Sequence, residues 1–351
     1  MPRHRAPARS VALDHLRRLK HDGAESPVLD ARIQFSELEG LARYARAMVT
    51  QDRVYPHLHP LAQASGRWST TDPPLVNFPA KESSLHPVAW GMIVPDPGWY
   101  FLHYDMSALH ARIAAAYTGD QDDLTASRNG YDLHTVTACR MFHWEFVPPD
   151  SVSGATPPWE GEGDRRRHLA KVMRYALLLG KNEMAALEAK EVEKLGLTRD
   201  EVLRFARLYL QSKPGMMAAK KRIWDLCIRQ GKARSFMGRL RRLTFDPRNK
   251  TSIDDAMKEG WSHILQGSEQ DIMQTIMADI VVAYPDTILT LNAHDGHTWA
   301  FQQSVHPWQE TVAALRPIVE RTWRINGEDV PIPAKWDIIW PDGTLQKVTS
   351  V

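Results

Sequence analysis

Two aspartates, Asp105 and Asp295, each stand at the edge of an apolar, β-prone run: GWYFLHYD, Gly98 to Asp105, and TILTLNAHDGHTWAF, Thr287 to Phe301. A single aspartate at a strand end ordinarily caps a turn or faces water. At the edge of an apolar run, however, a carboxylate is partly desolvated and needs a cation or hydrogen-bond donors to stay ionised. Two such groups brought together repel each other and create a site for a hard divalent cation such as Mg²⁺ or Mn²⁺. Between them lies RRRHLAKVMRYALLLGK, in which Arg167, Lys171 and Tyr175 fall at i, i+4 and i+8 on one helical face, with Arg174 close beside them. That face is either a solvated basic stripe or a row of donors, ending in an aromatic ring, that can hold a triphosphate and stack on a base or sugar. Further on, Lys213 to Lys250 carries twelve Lys or Arg against two acids, Asp225 and Asp246. The alternatives there are a helix surface tuned for solubility and contact with a phosphate backbone; charge of one sign favours the second.

These side chains need elements to hold them. Gly98 to Asp105 alternates and is rich in aromatics, so it reads as a strand ending on a carboxylate, followed by helical spacing from Ser107 to Tyr117. Thr287 to Phe301 reads as two short strands around His294, Asp295 and Gly296, a hairpin with a tight turn. Upstream, Leu29 to about Gln51 has amphipathic helical spacing, and Gly66 to Lys81 is turn-forming throughout and reads as a loop. Val147 to Gly163 is dense in Pro, Gly and Ser and reads as an exposed insertion, after which long helices run from Asp164 to about Tyr284. The expected fold is α+β: a small sheet carrying the acids, joined to a mostly helical lobe.

The 351 residues, 43% hydrophobic and 25% charged, suffice for a large core in one or two globular domains. A formal charge of +2 gives no warrant by itself for nucleic-acid binding, so any such reading rests on local charge. Cys139 and Cys227 form no CxxC pair, which argues against a disulfide framework or structural zinc. No stretch approaches the roughly 20 apolar residues that cross a bilayer, so no membrane association is expected. The N-terminus MPRHRAPARSVALDHLRRLK reads as a basic arm, with an organelle transit peptide as the alternative. A cytoplasmic location, in a bacterial or viral host cell, is the expectation.

The order of motifs resembles the polymerase module of the family A DNA polymerases. ASGRWSTTDPPLVNFPAK resembles that family's TGRLSSSDPNLQNIP, which implies that Arg67 and Asn77 contact primer-template. YDMSALHAR resembles motif A, DYSQIELR; it makes Asp105 a metal ligand and keeps the Ser107 and Arg112 positions, Arg112 toward the primer-template. YDLHTVTACRMF resembles DIHTxTAxxMF and brings His134 to the nucleotide. RHLAKVMRYALLLG resembles motif B, RxxxKxxxFxxxYG, with Arg167 and Lys171 on the incoming triphosphate and Tyr175 on its sugar and base. LQGSEQDIM looks like QGTAADLM and places Gln266 near template or primer. AHDG resembles motif C, VHDE, making Asp295 the second metal carboxylate and His294 a neighbour of the primer end; VPIPAKWDIIW resembles the closing strand.

The resemblance implies a right-hand polymerase with a palm of small antiparallel sheet, helical fingers, and a thumb reduced or absent. The implied divisions are a basic arm at 1–27, a helix, primer-template loop and first part of the palm at 28–115, fingers at 116–258 with the insertion at 147–163, and the second part of the palm at 259–351. It implies template-directed addition of deoxynucleotides to a primer by two Mg²⁺ ions, with low processivity, no proofreading, and a protein partner in place of the missing grip. Departures qualify this. The motif A glutamate that closes the pocket over the sugar 2′ position is His110, which places His110 at the nucleotide; its motif B partner tyrosine is Leu179; the motif B phenylalanine is Tyr175; and the acid after the motif C aspartate is Gly296. Two rivals therefore stay open, a single-subunit RNA polymerase or primase-like enzyme and a catalytically weak structural palm that binds primer-template. A metal-dependent hydrolase built on His294 and Asp295 lacks a second His-rich ligand set.

Overall fold

The computed structural model describes residues 26–48, 53–60, 62–77, 93–143, 162–179, 183–188, 197–293 and 295–348, with isolated positions beside them. Helix α1, Pro27–Met48, comes first. Strands β1, His57–His59, and β2, Ser69–Thr71, pair antiparallel, and a single 3-10 turn follows at Leu75–Asn77. The segment expected as a loop from Gly66 thus contributes a strand. Three Ser and Thr residues at an edge can pair with no apolar alternation to announce them.

Strand β3, Trp99–Met106, leads into helices α2, Leu109–Thr118, α3, Gln121–Arg128, and α4, Leu133–Phe142. Helix α5, Glu162–Leu179, takes in the last two residues of the expected insertion, whose other residues lie outside the described ones. Then come α6, Arg199–Ser212, which starts on a Thr198–Glu201 capping box, and α7, Pro214–Gln230. The basic segment read as helical also holds a short hairpin, β4, Lys232–Arg234, with β5, Leu240–Arg242. Helix α8 is long, Lys250–Ala283. Strands β6, Ile288–Ala293, and β7, Gly296–Gln302, form the expected hairpin. Helix α9, Trp308–Val319, precedes β8, Thr322–Ile325, β9, Glu328–Pro331, β10, Ala334–Ile339, and β11, Leu345–Val348.

The main sheet is antiparallel in the order β11-β10-β3-β7-β6. Alternation along β3 sends Tyr100, Leu102, Tyr104 and Met106 into the core, where they cluster with Trp299 and Phe301 of β7, Trp336 of β10, and Ile272 and Ile276 of α8. Burial of each such side chain contributes roughly 1.5–3 kcal/mol relative to exposure. On the opposite face Phe101 packs with Ala300 and Ile339, and His103 and Asp105 are half-buried. A second core joins α4, α5 and α6 through Met141, Leu169, Met173, Leu177, Val202 and Phe205. Cys139 and Cys227 are both buried, and among the described residues no helix is long and apolar enough to cross a membrane.

Candidate active site

Strand pairing brings the two aspartates together. Asp105 lies opposite Gly296 on β7 and opposite Lys335 on β10, and the Met106 amide donates to the Asp295 carbonyl at 2.9 Å. Glycine is required at 296: a Cβ there would come within 2.8 Å of the Tyr104 carbonyl oxygen and 3.6 Å of the Asp105 Cα. The position after Asp295 therefore has no room for an acid. Burial, then the charges of Asp105 and Glu269, push the Asp295 carboxyl up to about 7. A divalent cation would relieve that repulsion, and the oxygen donors suit Mg²⁺ or Mn²⁺. Among the described residues no group of three or more His, Cys, Asp and Glu side chains gathers to hold a metal unaided. Bound phosphate or water would have to complete the coordination of the two carboxylates.

Facing the pair is a cavity of about 190 Å³ whose far wall is α5. Arg167, Lys171 and Tyr175 line it, as their spacing predicts, together with His134 at the start of α4. The Tyr175 and His134 rings lie 5.8 Å apart. Burial, followed by the Arg174 charge, pushes His134 down to about 3, so its imidazole is neutral. Arg167 is clamped: its Nε and Nη2 each donate to Asp132 at 2.8 Å, while the same carboxylate caps α4 through the Thr135 amide at 2.8 Å. Against the upward push of burial, Arg167 holds Asp132 below the usual carboxylate range.

Asp132 and Lys335 both line the cavity, and the sequence reading singled out neither. Asp132 directly precedes the α4 run, the place of an N-cap, so a signal existed; Lys335 is marked only by strand register.

Other expected residues are placed differently. Arg112 reaches the cavity but is 3% exposed, and its Nε and Nη1 donate to the carbonyls of Ser107 at 2.9 Å and Pro331 at 3.0 Å. Arg174, grouped with the cationic face by spacing, is 1% exposed and pairs with Asp123 at 2.6 Å. Its helical neighbours reach the cavity, whereas Arg174 pins α5 to α3. Lys213 joins the same buried cluster, 2.6 Å from Asp123 and 3.0 Å from Asp120. Lys220 is buried against the C-terminal carbonyls of α5, with contacts of 3.2 Å to Leu177 and 2.6 Å to Leu178. The basic segment is thus partly internal; Lys221, Arg222, Arg229, Arg242 and Arg248 remain exposed.

A second group gathers beside Asp295. Glu269 of α8, 1% exposed, accepts from Arg67 Nε at 3.0 Å and Nη2 at 2.8 Å, and it also contacts His110 Nε2. Neither Arg67 nor His110 lines the cavity, so His110 stands apart from Arg167, Lys171 and Tyr175. Gln266 is half-buried on α8, and Asn77 ends the 3-10 turn. His294 lies outside the described residues.

Comparison with known proteins bears on this geometry. The family model for DNA polymerase family A matches residues 5–336. DNA polymerase I of Bacillus subtilis is 26% identical over 75% of this chain, and thermostable DNA polymerase I of Thermus thermophilus is 25% identical over 86%. The chain spans only 28% and 35% of those two proteins. The polymerase domain of Pol1 from M. smegmatis, solved in complex with DNA primer-template and dNTP, superposes with a TM-score of 0.74 at 22% identity, covering 93% of this chain and 55% of that one; the two share a fold.

Proposed function

Because the chain belongs to DNA polymerase family A, we propose that it is a DNA-directed DNA polymerase that adds deoxynucleotides to a primer 3′-end in the cavity between Asp105, Asp295 and α5. The observation that carries this reading is the juxtaposition of a strained carboxylate pair with a wall of Arg167, Lys171 and Tyr175. In this proposal residues 28–115 and 259–351 build the palm and 116–258 the fingers. Two Mg²⁺ ions bound at Asp105 and Asp295 would lower the pKa of the primer hydroxyl and stabilise the leaving pyrophosphate.

The chain's own residues do the remaining work. Arg167, aimed by Asp132, and Lys171 neutralise charge on the triphosphate, an effect that is strong where water is excluded. In this reading Tyr175 and neutral His134 bracket the sugar and base, and the Tyr175 hydroxyl would substitute for a missing sugar 3′-hydroxyl, so that dideoxynucleotides would be accepted. Arg67, Asn77, Gln266 and His294 take the primer-template; Arg112 supports that surface by holding the Ser107 and Pro331 carbonyls. We further propose that the described residues extend a primer distributively by themselves, and that a protein partner would add grip.

The test is extension of a labelled primer on a DNA template with Mg²⁺ or Mn²⁺, supplying deoxy- or ribonucleotides, with and without a trap for dissociated enzyme. Wild type should extend with deoxynucleotides, by short additions under the trap, and Asp295→Ala should not extend at all. A wild-type chain that binds primer-template and extends nothing would move the reading to a structural palm.

A further inference from the structure

Lys335 lines the cavity, and the polymerase reading leaves it without a task. It stands directly opposite Asp105 in the β3–β10 register. Opposed residues of an antiparallel pair send their side chains to one face, with Cβ atoms roughly 5 Å apart, so Lys335 and Asp105 rise side by side from the sheet. On its other flank Asp105 meets the β7 end of the hairpin, where Asp295 precedes Gly296. A row thus crosses the cavity floor in the order Lys335, Asp105, Asp295. The root of the lysine is firm, because β10 is paired with β3 and, just ahead of it, the Ser107 amide donates to the Pro333 carbonyl at 2.8 Å.

The cations around this cavity differ in what already holds them. Arg112 is spent on two backbone carbonyls and Arg167 on Asp132. Lys335 is exposed, and its ammonium forms no ion pair or hydrogen bond with a described residue, Asp105 included. A compact ammonium with three rotatable donors on a flexible four-carbon stem, left in that state beside two carboxylates, is available to an anion entering the cavity. The reacting phosphate belongs above Asp105 and Asp295. A cation beyond Asp105 meets either the primer's terminal phosphodiester or the phosphates beyond the reacting one. At about 190 Å³ the cavity has no room for a duplex, and Arg167 and Lys171 line the same small space, so the anion that all three can reach is the phosphate tail of the nucleotide.

Resting on the polymerase reading above, we propose that Lys335 is a further substrate-binding residue, which contacts the β- and γ-phosphates of the incoming nucleotide from the sheet side, so that the leaving pyrophosphate is held between β10 and α5. One cationic group from the sheet and two from the helix then share the charge that builds on the leaving group.

The test compares Lys335→Ala and Lys335→Arg with wild type in three measurements. These are primer extension, pyrophosphorolysis (the reverse attack of pyrophosphate on the primer's terminal phosphodiester) and duplex binding by fluorescence anisotropy. Lys335→Ala should raise the KM for the deoxynucleotide and the KM for pyrophosphate alike, each by about tenfold, the worth of one lost charge-assisted contact. Primer-template affinity should be unchanged, and so should the unfolding temperature, because an exposed side chain without a partner contributes little to folding. Lys335→Arg keeps the charge and should recover most of both constants. A Lys335→Ala enzyme that extends with both KM values as in wild type overturns this inference alone. So does a fall in duplex affinity while both KM values hold, which would put the lysine on the primer, and so does a rise confined to the deoxynucleotide, which would put it on the reacting phosphate. A wild type that binds primer-template and extends with neither deoxy- nor ribonucleotides overturns the polymerase reading and this inference with it.

Discussion

Asp132 spends its carboxylate on two tasks, the α4 cap and the Arg167 clamp. Asparagine caps a helix as well as aspartate does, so Asp132→Asn isolates the clamp. Without that carboxylate Arg167 is aimed less firmly at the cavity, and the KM for the nucleotide should rise by about tenfold with a smaller change in kcat. An unchanged KM would mean that Arg167 needs no aiming. Asp295 poses the opposite problem, a charge held where it is unwelcome. Its folded pKa of about 7 lies above the ordinary carboxylate value of 3.8, so the folded state binds the extra proton between those values. Stability therefore falls as pH rises through that window, and the penalty is fully present above about pH 7. At pH 8 without metal, Asp295→Asn should unfold at a higher temperature than wild type, by a few degrees at roughly 2 °C per kcal/mol. Mg²⁺ should raise the wild type and leave the variant unmoved; a wild type indifferent to Mg²⁺ would remove the case for a metal at this pair.

Helix α5 carries the cavity wall, and it is fastened along its length: Arg167 to Asp132, Arg174 to Asp123, and its last carbonyls to Lys220 and to the Trp261 indole, which donates to Leu178 at 2.8 Å. Burial pushes the Lys220 ammonium down to about 7 from 10.5. Between those values the unfolded chain binds the proton and the folded chain does not, so this residue makes stability rise with pH from about 7 toward 10. The Trp224 ring, 5.0 Å away, and the two carbonyls favour the charged form and make the rise shallow. Lys220→Met should cost about 1–3 kcal/mol at pH 7 and abolish the rise in urea denaturation between pH 7 and 9; a variant that keeps it would place the titration elsewhere. The sequence could not have indicated this role. Helical spacing treats Arg167, Arg174 and Lys171 alike, and it is tertiary packing, with Asp132 beside Arg167 and Asp123 beside the buried Arg174, that separates them. Glu269 was hidden for the same reason, since Arg67 lies 202 positions away. By contrast β3 and the β6–β7 hairpin were legible, because their alternation and turn are local. Strands β1, β2, β4 and β5 have three residues each, too few to show a period.

Across the whole molecule, a formal charge of +2 conceals an uneven surface. Of the cations between Lys213 and Lys250, Lys213 and Lys220 are internal, Arg239 pairs with Asp271 at 3.2 Å, and Arg241 pairs with Glu259. What remains for a partner is the exposed set that begins with Lys221 and Arg222 on α7. If those two side chains neutralise phosphates of a primer-template duplex, each releases counterions, and the dependence of log affinity on log salt carries about 0.9 per phosphate contact. Replacing both by alanine should therefore weaken duplex binding at low salt and flatten the slope by nearly 2, while the unfolding temperature stays within about a degree, as expected for exposed positions. Fluorescence anisotropy titrations at four or five salt concentrations would measure the slope. A slope equal to that of wild type, with affinity unchanged, would put the duplex on another face and leave this cationic segment as the solvated surface that composition alone allows.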